Sequence, residues 1–215
     1  MKKKRRIKVW PIIVIIVVFL LGIIGFCMKD ILKLLKNNQQ SQVTILSEIP
    51  AYGYSMNEND SEYYKSLFKD LKKLLEGDDI EDEAYARLVS QLFITDLYSL
   101  NSAINKNDIG GTQFVWHDFR NDFEKIAKTS LYAYVENNMY GTRKQELPSI
   151  TNAEVTEIKK GKINFQNNDV EDENGYTVKV TVTYEKDLGY PTKFELLLLH
   201  NQEKIEVGQL KVDET

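Results

Sequence analysis

Asp96 stands inside an apolar run, Leu92-Phe93-Ile94-Thr95-Asp96-Leu97-Tyr98. At helical spacing it lies one turn from Leu92 and Phe93, near an inward face. Burial raises the pKa of a carboxyl group, and a raised carboxyl beside a tyrosine can serve as a general acid or base. Tyr98, His117 and Tyr134 are the candidate neighbours. The plainer reading makes Asp96 a boundary carboxylate bonded to a Thr, a Tyr or the backbone, or an exposed one. His117, in Trp116-His117-Asp118-Phe119-Arg120, falls off the apolar stripe and reads as a solvated helix residue. His200 ends an apolar strand and reads the same way.

Other chemistries lack their residues. Gly110-Gly111 has no following Lys-Ser/Thr, so it reads as a turn and not as a phosphate cradle. There is no nucleophile elbow and no His-Glu-x-x-His. The acidic stretch at residues 77–83 lacks the alternating carboxylates of a calcium loop. One cysteine, Cys27, excludes an internal disulfide framework and a multi-cysteine zinc site. Tyr52, Tyr54, Tyr63 and Tyr64 cluster in sequence, as a protein-binding surface or as core packing would require. No catalytic, cofactor-binding or metal-ligating residue is assigned, and the chain is expected not to be an enzyme.

Charge supplies the address. The first 28 residues hold six of the 28 basic residues and no acid, so the remainder carries 22 positive charges against 32 negative ones. An acidic body argues against nucleic acid, whose backbone needs clustered Lys and Arg. Residues 9–28 are uncharged and rich in Ile, Val, Leu and Phe, long enough as a helix to span the roughly 30 Å of a bilayer core. Gly25-Phe26-Cys27 is a poor cleavage site, and bulky Phe26 disfavours lipid attachment at Cys27, so the segment reads as an uncleaved anchor. The basic residues Lys2 to Arg6 and Lys8 place the N-terminus in the cytoplasm. The expected organisation is a cytoplasmic tail at 1–8, a transmembrane helix at 9–28, a juxtamembrane stalk at 29–54 and an extracytoplasmic domain at 55–215.

Within that domain the apolar spacing predicts three helices. The first starts near Asn59 or Asp60 and stops at Gly77, the second covers 82–105, and the third covers 114–138. The period then changes to two. Tyr176, Val178, Val180, Val182 and Tyr184 alternate with polar residues after an Asn174-Gly175 turn signal. Further strands are expected at 193–200, at 204–212 with a bulge at Gly208, and within 154–165. Three helices packed on about four antiparallel strands make an α+β domain.

This element order resembles the cone-shaped α+β fold of nuclear transport factor 2-like domains. With the anchor added, it resembles the bitopic assembly subunit of type IV secretion and conjugation machines. The stretches LFITDLYSLNSAINKNDIGGTQFV and YVENNMYGTRKQELPSI also resemble those of single-pass membrane proteins from low-GC Gram-positive bacteria, a group that transfers no functional residue. These resemblances imply a non-enzymatic, membrane-anchored domain for protein–protein assembly in the cell envelope. Its partners would be the lipid bilayer and other envelope proteins or a second copy, with no nucleic acid and no cofactor. The alternative is an extracytoplasmic small-molecule-binding or acid/base domain with a pocket near Asp96.

Overall fold

A computed structural model describes residues 44–165 and 170–213. The apolar run at 9–28 lies outside the described residues, and among them no helix is long and apolar enough to cross a membrane. The described chain opens with a hairpin of β1 (Ile45–Ile49) and β2 (Tyr54–Asn57). Pro50 starts its turn and Gly53 closes it with a φ of 64°, a left-handed conformation that favours glycine. Ile49, Tyr52, Tyr54 and Met56 are buried. Packing therefore begins upstream of residue 55, and the latter part of the expected stalk belongs to the core. The Tyr52 and Tyr54 rings are packing residues.

The first two helices form where their spacing demands. In α1 (Glu62–Leu75) the Ser61 hydroxyl accepts the Tyr64 amide hydrogen at 3.1 Å, and Leu67, Phe68 and Leu71 face inward. In α2 (Asp82–Tyr98) the Glu81 carboxylate accepts the amides of Glu83 and Ala84. This helix is apolar around most of its girth, with Val89, Leu92, Phe93, Ile94 and Leu97 all buried, as a helix in the middle of a domain must be. It ends at Tyr98, short of Asn105, and a 3₁₀ turn follows at Leu100–Ser102.

The third helix is shorter than its apolar pattern predicts. Only Arg120–Thr129 is α-helical (α3), while Thr112–Phe114 and His117–Phe119 are 3₁₀ turns. The Thr129 hydroxyl donates to the Lys125 carbonyl at 2.9 Å and the Ser130 hydroxyl to the Ile126 carbonyl at 2.6 Å. Such local bonds compete with continued helix and end it here. Two members of the expected inner stripe, Ile126 and Tyr134, are 66% and 88% exposed.

The sheet is a meander of β3 (Ile150–Phe165), β4 (Val170–Tyr184), β5 (Lys193–Asn201) and β6 (Lys204–Val212), antiparallel and ordered β3-β4-β5-β6. Tyr176, Val178, Val180 and Val182 all point into the core. Leu197 pairs with Gln209 and Leu198 with Val207, so Gly208 is the extra residue of a bulge, as its sequence parity predicts. Asn174-Gly175 is not a turn. Gly175 pairs with Gly161 inside the β3–β4 ladder, where an added Cβ would lie 2.6 Å from Ile163 Cγ1 and 2.8 Å from the Leu198 carbonyl oxygen. The glycine is there for close approach. The domain is thus α+β, with three helices and a four-stranded antiparallel sheet, and α2 lies against β3, β4 and β6.

Candidate functional site

Asp96 lines a small polar cleft of about 80 Å³ at the C-terminal end of α2, together with Asp60, Asp108, Ser99, Ser102 and Tyr132. Two glycines build its wall. An added Cβ on Gly110 would sit 2.2 Å from the Asp96 carbonyl oxygen, and Gly111 adopts a φ of 78° against the Phe93 ring. This close approach lets the Gly111 amide donate to Asp96 Oδ2 at 2.7 Å. Asp60 accepts the Asn57 amide at 2.6 Å, and Asp108 accepts the Ile104 amide at 2.8 Å. The three carboxylates are each held by backbone, and among the described residues no basic side chain lines the cleft.

Burial and like charge then act together. Burial, followed by the field of Asp60, pushes the Asp96 carboxyl up to about 7 despite the Gly111 hydrogen bond, and Asp108 adds to the rise. Burial likewise lifts Asp60 to about 6. A carboxyl raised toward neutrality is what the acid/base alternative for Asp96 needs, and its bond to the Gly111 amide is the backbone contact of the plainer reading. None of the three expected neighbours supplies its partner. Tyr98 packs against Phe194 with ring centroids 4.7 Å apart, His117 meets Glu206, and Tyr134 is 88% exposed. Tyr132 is the tyrosine that lines the cleft, its hydroxyl accepting the Gly110 amide at 3.0 Å and donating to the Leu97 carbonyl at 2.9 Å. Its position just past α3 hid it from a helical-stripe reading; the Gly-Gly pair after a mid-helix Asp was the available signal.

The two histidines belong to other clusters. His200, expected to be solvated, is clamped: Nδ1 lies 2.7 Å from Asp172 Oδ2 and Nε2 lies 2.9 Å from Asp82 Oδ1. Tyr176 Oη and Lys160 Nζ also donate to Asp82, at 2.6 and 2.8 Å. Burial opposes charge on His200, but hydrogen bonds to Asp82 and Asp172 outweigh it and raise the pKa. Burial also opposes ionisation of Asp82, yet donation from Lys160, Tyr176 and His200 holds it down at about 2. The clamp ties the start of α2 to β3, β4 and β5.

His117 is 44% exposed, but its Nδ1 lies 3.2 Å from Glu206 Oε2. Glu206 itself is 1% exposed. Arg120 donates to its Oε1 at 2.8 Å, and Asn201 and the His117 amide donate to Oε2 at 3.0 and 3.2 Å. Arg120 also donates from Nε to the Val115 carbonyl at 3.0 Å, which fixes the segment that precedes α3. Among the described residues no group of three or more His, Cys, Asp or Glu is placed to hold a metal ion.

A second depression, of about 240 Å³, is apolar. It runs between α3 and β6 and is walled by Phe93, Val115, Phe123, Ile126, Val207 and Leu210. Its chemistry is the opposite of that of the Asp96 cleft. Comparison with known proteins gives no match to any family model, any curated protein or any solved structure.

Proposed function

We propose that this chain is a membrane-anchored extracytoplasmic domain that docks other proteins of the cell envelope and performs no catalysis of its own. Residues 9–28 supply the anchor in this reading, and residues 1–8 lie in the cytoplasm. One observation carries the docking role: the larger of the two depressions described is an apolar groove flanked by the exposed Ile126 side chain, while the interior beneath the helices is filled by Phe68, Leu71, Leu92 and Phe194. Unpartnered apolar surface of this kind marks interaction sites in soluble domains. The finer version is an assembly subunit of type IV secretion or conjugation type on a cone-shaped, nuclear transport factor 2-like body.

A second reading keeps Asp96 as a general acid or base, and its carboxyl at about 7 favours that reading. Complementation of a strain lacking the gene separates the two. Docking expects Asp96→Asn to restore the lost phenotype and the released domain, residues 43–215, to fail. An unrelated span of the same length and direction, joined to that domain, should restore it. A folded Asp96→Asn protein without activity, beside an active released domain, would replace docking with catalysis. A reporter active only outside the membrane, fused after Thr215, checks the topology independently.

A further inference from the structure

The two edges of the sheet are finished differently. At Ala153 and Val155 of β3, the outward backbone is occupied by side chains from the helices. The Ala153 amide donates to Tyr63 Oη at 2.9 Å, and the Ala153 carbonyl accepts Gln91 Nε2 at 2.6 Å and Tyr63 Oη at 3.2 Å. The Val155 carbonyl accepts Arg87 Nη1 at 3.4 Å. Three irregularities in register further break up that strand. Occupied groups and bulges are the usual protection against pairing with another chain.

On β6 the protection stops halfway. Val115 forms a one-residue parallel bridge to Val207, and the Trp116 amide donates to the Val207 carbonyl at 2.9 Å. Beyond Gly208 no described residue continues this cover. The Asp213 amide donates to the Lys193 carbonyl, so Lys211 and Gln209, in alternation with it, also direct their backbone toward β5. Leu210 and Val212 must therefore direct their N–H and C=O groups away from the sheet. Among the described residues no hydrogen bond reaches those outward groups. Neither proline nor an inward charge blunts this stretch; Lys211 points to the other face and pairs with Glu195 at 3.2 Å. The apolar groove runs directly alongside, with Leu210 in its wall, and Val212 is 41% exposed.

We infer that the open half of β6 pairs with the same edge of a second copy of this chain. Outward backbone donors and acceptors call for an extended strand, and a helix packed in the groove would leave them unmet. An antiparallel edge is complementary to itself about a twofold axis normal to the sheet, with both helix layers on one side. Centred near Leu210, the pairing sets Lys211 opposite Gln209 and avoids like charges in register. The apolar residues of each strand then meet the groove of the other, continuing the contact that Val115 begins. Only a few residues take part, so the buried area falls well below the roughly 1,200 Å² of stable interfaces. Tethering in one membrane supplies the missing effective concentration, and in this the inference rests on the docking reading.

The test uses the full chain in its own membranes, with Cys27→Ser and a single cysteine introduced at position 211 or, as control, at position 154 on β3. Both residues are exposed. With a short bismaleimide, Lys211→Cys should give at least tenfold more cross-linked dimer than Glu154→Cys. Leu210→Pro removes an outward N–H that β5 does not use, and it should lower the yield to the control level. Should that variant fail to fold, Ile126→Lys, at a position already exposed, must give the same loss. Equal yields from positions 211 and 154, or a yield indifferent to both substitutions, overturn the inference. A cross-link at 211 only to a different protein also overturns self-pairing, yet leaves docking intact. Absence of any cross-link, with the topology reporter and anchor replacement behaving as expected, removes the dimer alone.

Discussion

Glu206 and Asp96 are both carboxylates drawn back from solvent, and their surroundings answer the cost of that burial in opposite ways. Around Glu206 stand a guanidinium, an amide side chain, an imidazole and a backbone N–H, each within 3.2 Å. Around Asp96 stand one backbone N–H and two further carboxylates. The first arrangement keeps charge in the fold by pairing it; the second leaves the proton to be taken up, at about 7. The bonds from Arg120, Asn201 and the His117 amide make Glu206 a joint between β6, the Val115 segment and α3. The Asp96 cleft joins its loops through backbone hydrogen bonds, for which either protonation state of the acid serves. Buried charge therefore does structural duty in one place and is dispensable in the other.

Four substitutions put that contrast to the test in the folded domain, residues 43–215, which forms one compact unit. Glu206→Ala leaves Arg120 without its carboxylate and should cost about 3–5 kcal/mol in urea unfolding; a loss under 1 kcal/mol would dissolve the contrast. His200→Gln comes next, with a loss of roughly 1–3 kcal/mol that depends on pH. The folded pKa of His200 lies above its unfolded value, so its stabilisation is complete below about 6.5 and fades as pH rises through the folded value. Wild type and variant should converge on the alkaline side, and parallel pH profiles would remove the clamp. Asp96→Asn should go the other way. Its carboxyl is also raised, so the folded state binds the extra proton and loses stability as pH climbs from about 4 to about 7. The variant should gain on the order of 1–2 kcal/mol around pH 8 and nothing around pH 4, allowing for partial solvent contact. Asp60→Asn, at a carboxyl raised only to about 6, should gain roughly half as much over a correspondingly lower window.

Much of the scaffold was readable in advance because one physical rule governed each stretch. The alternation from Tyr176 to Tyr184 could satisfy only a half-buried strand, and the parity change between Val207 and Leu210 demanded an extra residue that Gly208 provides. Where two rules compete, the reading went astray. From Trp116 to Val135 the apolar residues keep helical spacing, but Thr129 and Ser130 capture carbonyls within the helix and end it. Pro50 and Gly53 concealed a hairpin inside what looked like a stalk. Asn174-Gly175 carries the chemistry of a turn, although Gly175 is required by the Ile163 side chain and the Leu198 carbonyl. Asp96 was recognised as unusual, yet the cleft's other members, Asp60, Asp108 and Tyr132, come from separate loops. Only tertiary structure brings them together.

The meander has a consequence for the order in which this chain can fold. Each strand of the sheet pairs with its neighbour in sequence, so the sheet closes only short loops and assembles rapidly once its residues exist. The helices are made earlier. During synthesis from the N-terminus, α2 emerges with apolar residues around most of its circumference, and the strands it rests on, β3, β4 and β6, begin only at Ile150. For that interval α1, the β1–β2 hairpin and α2 have each other and no sheet. A nascent chain halted before residue 150 should therefore bind a hydrophobic dye or a chaperone strongly, and one halted after residue 215 should release it.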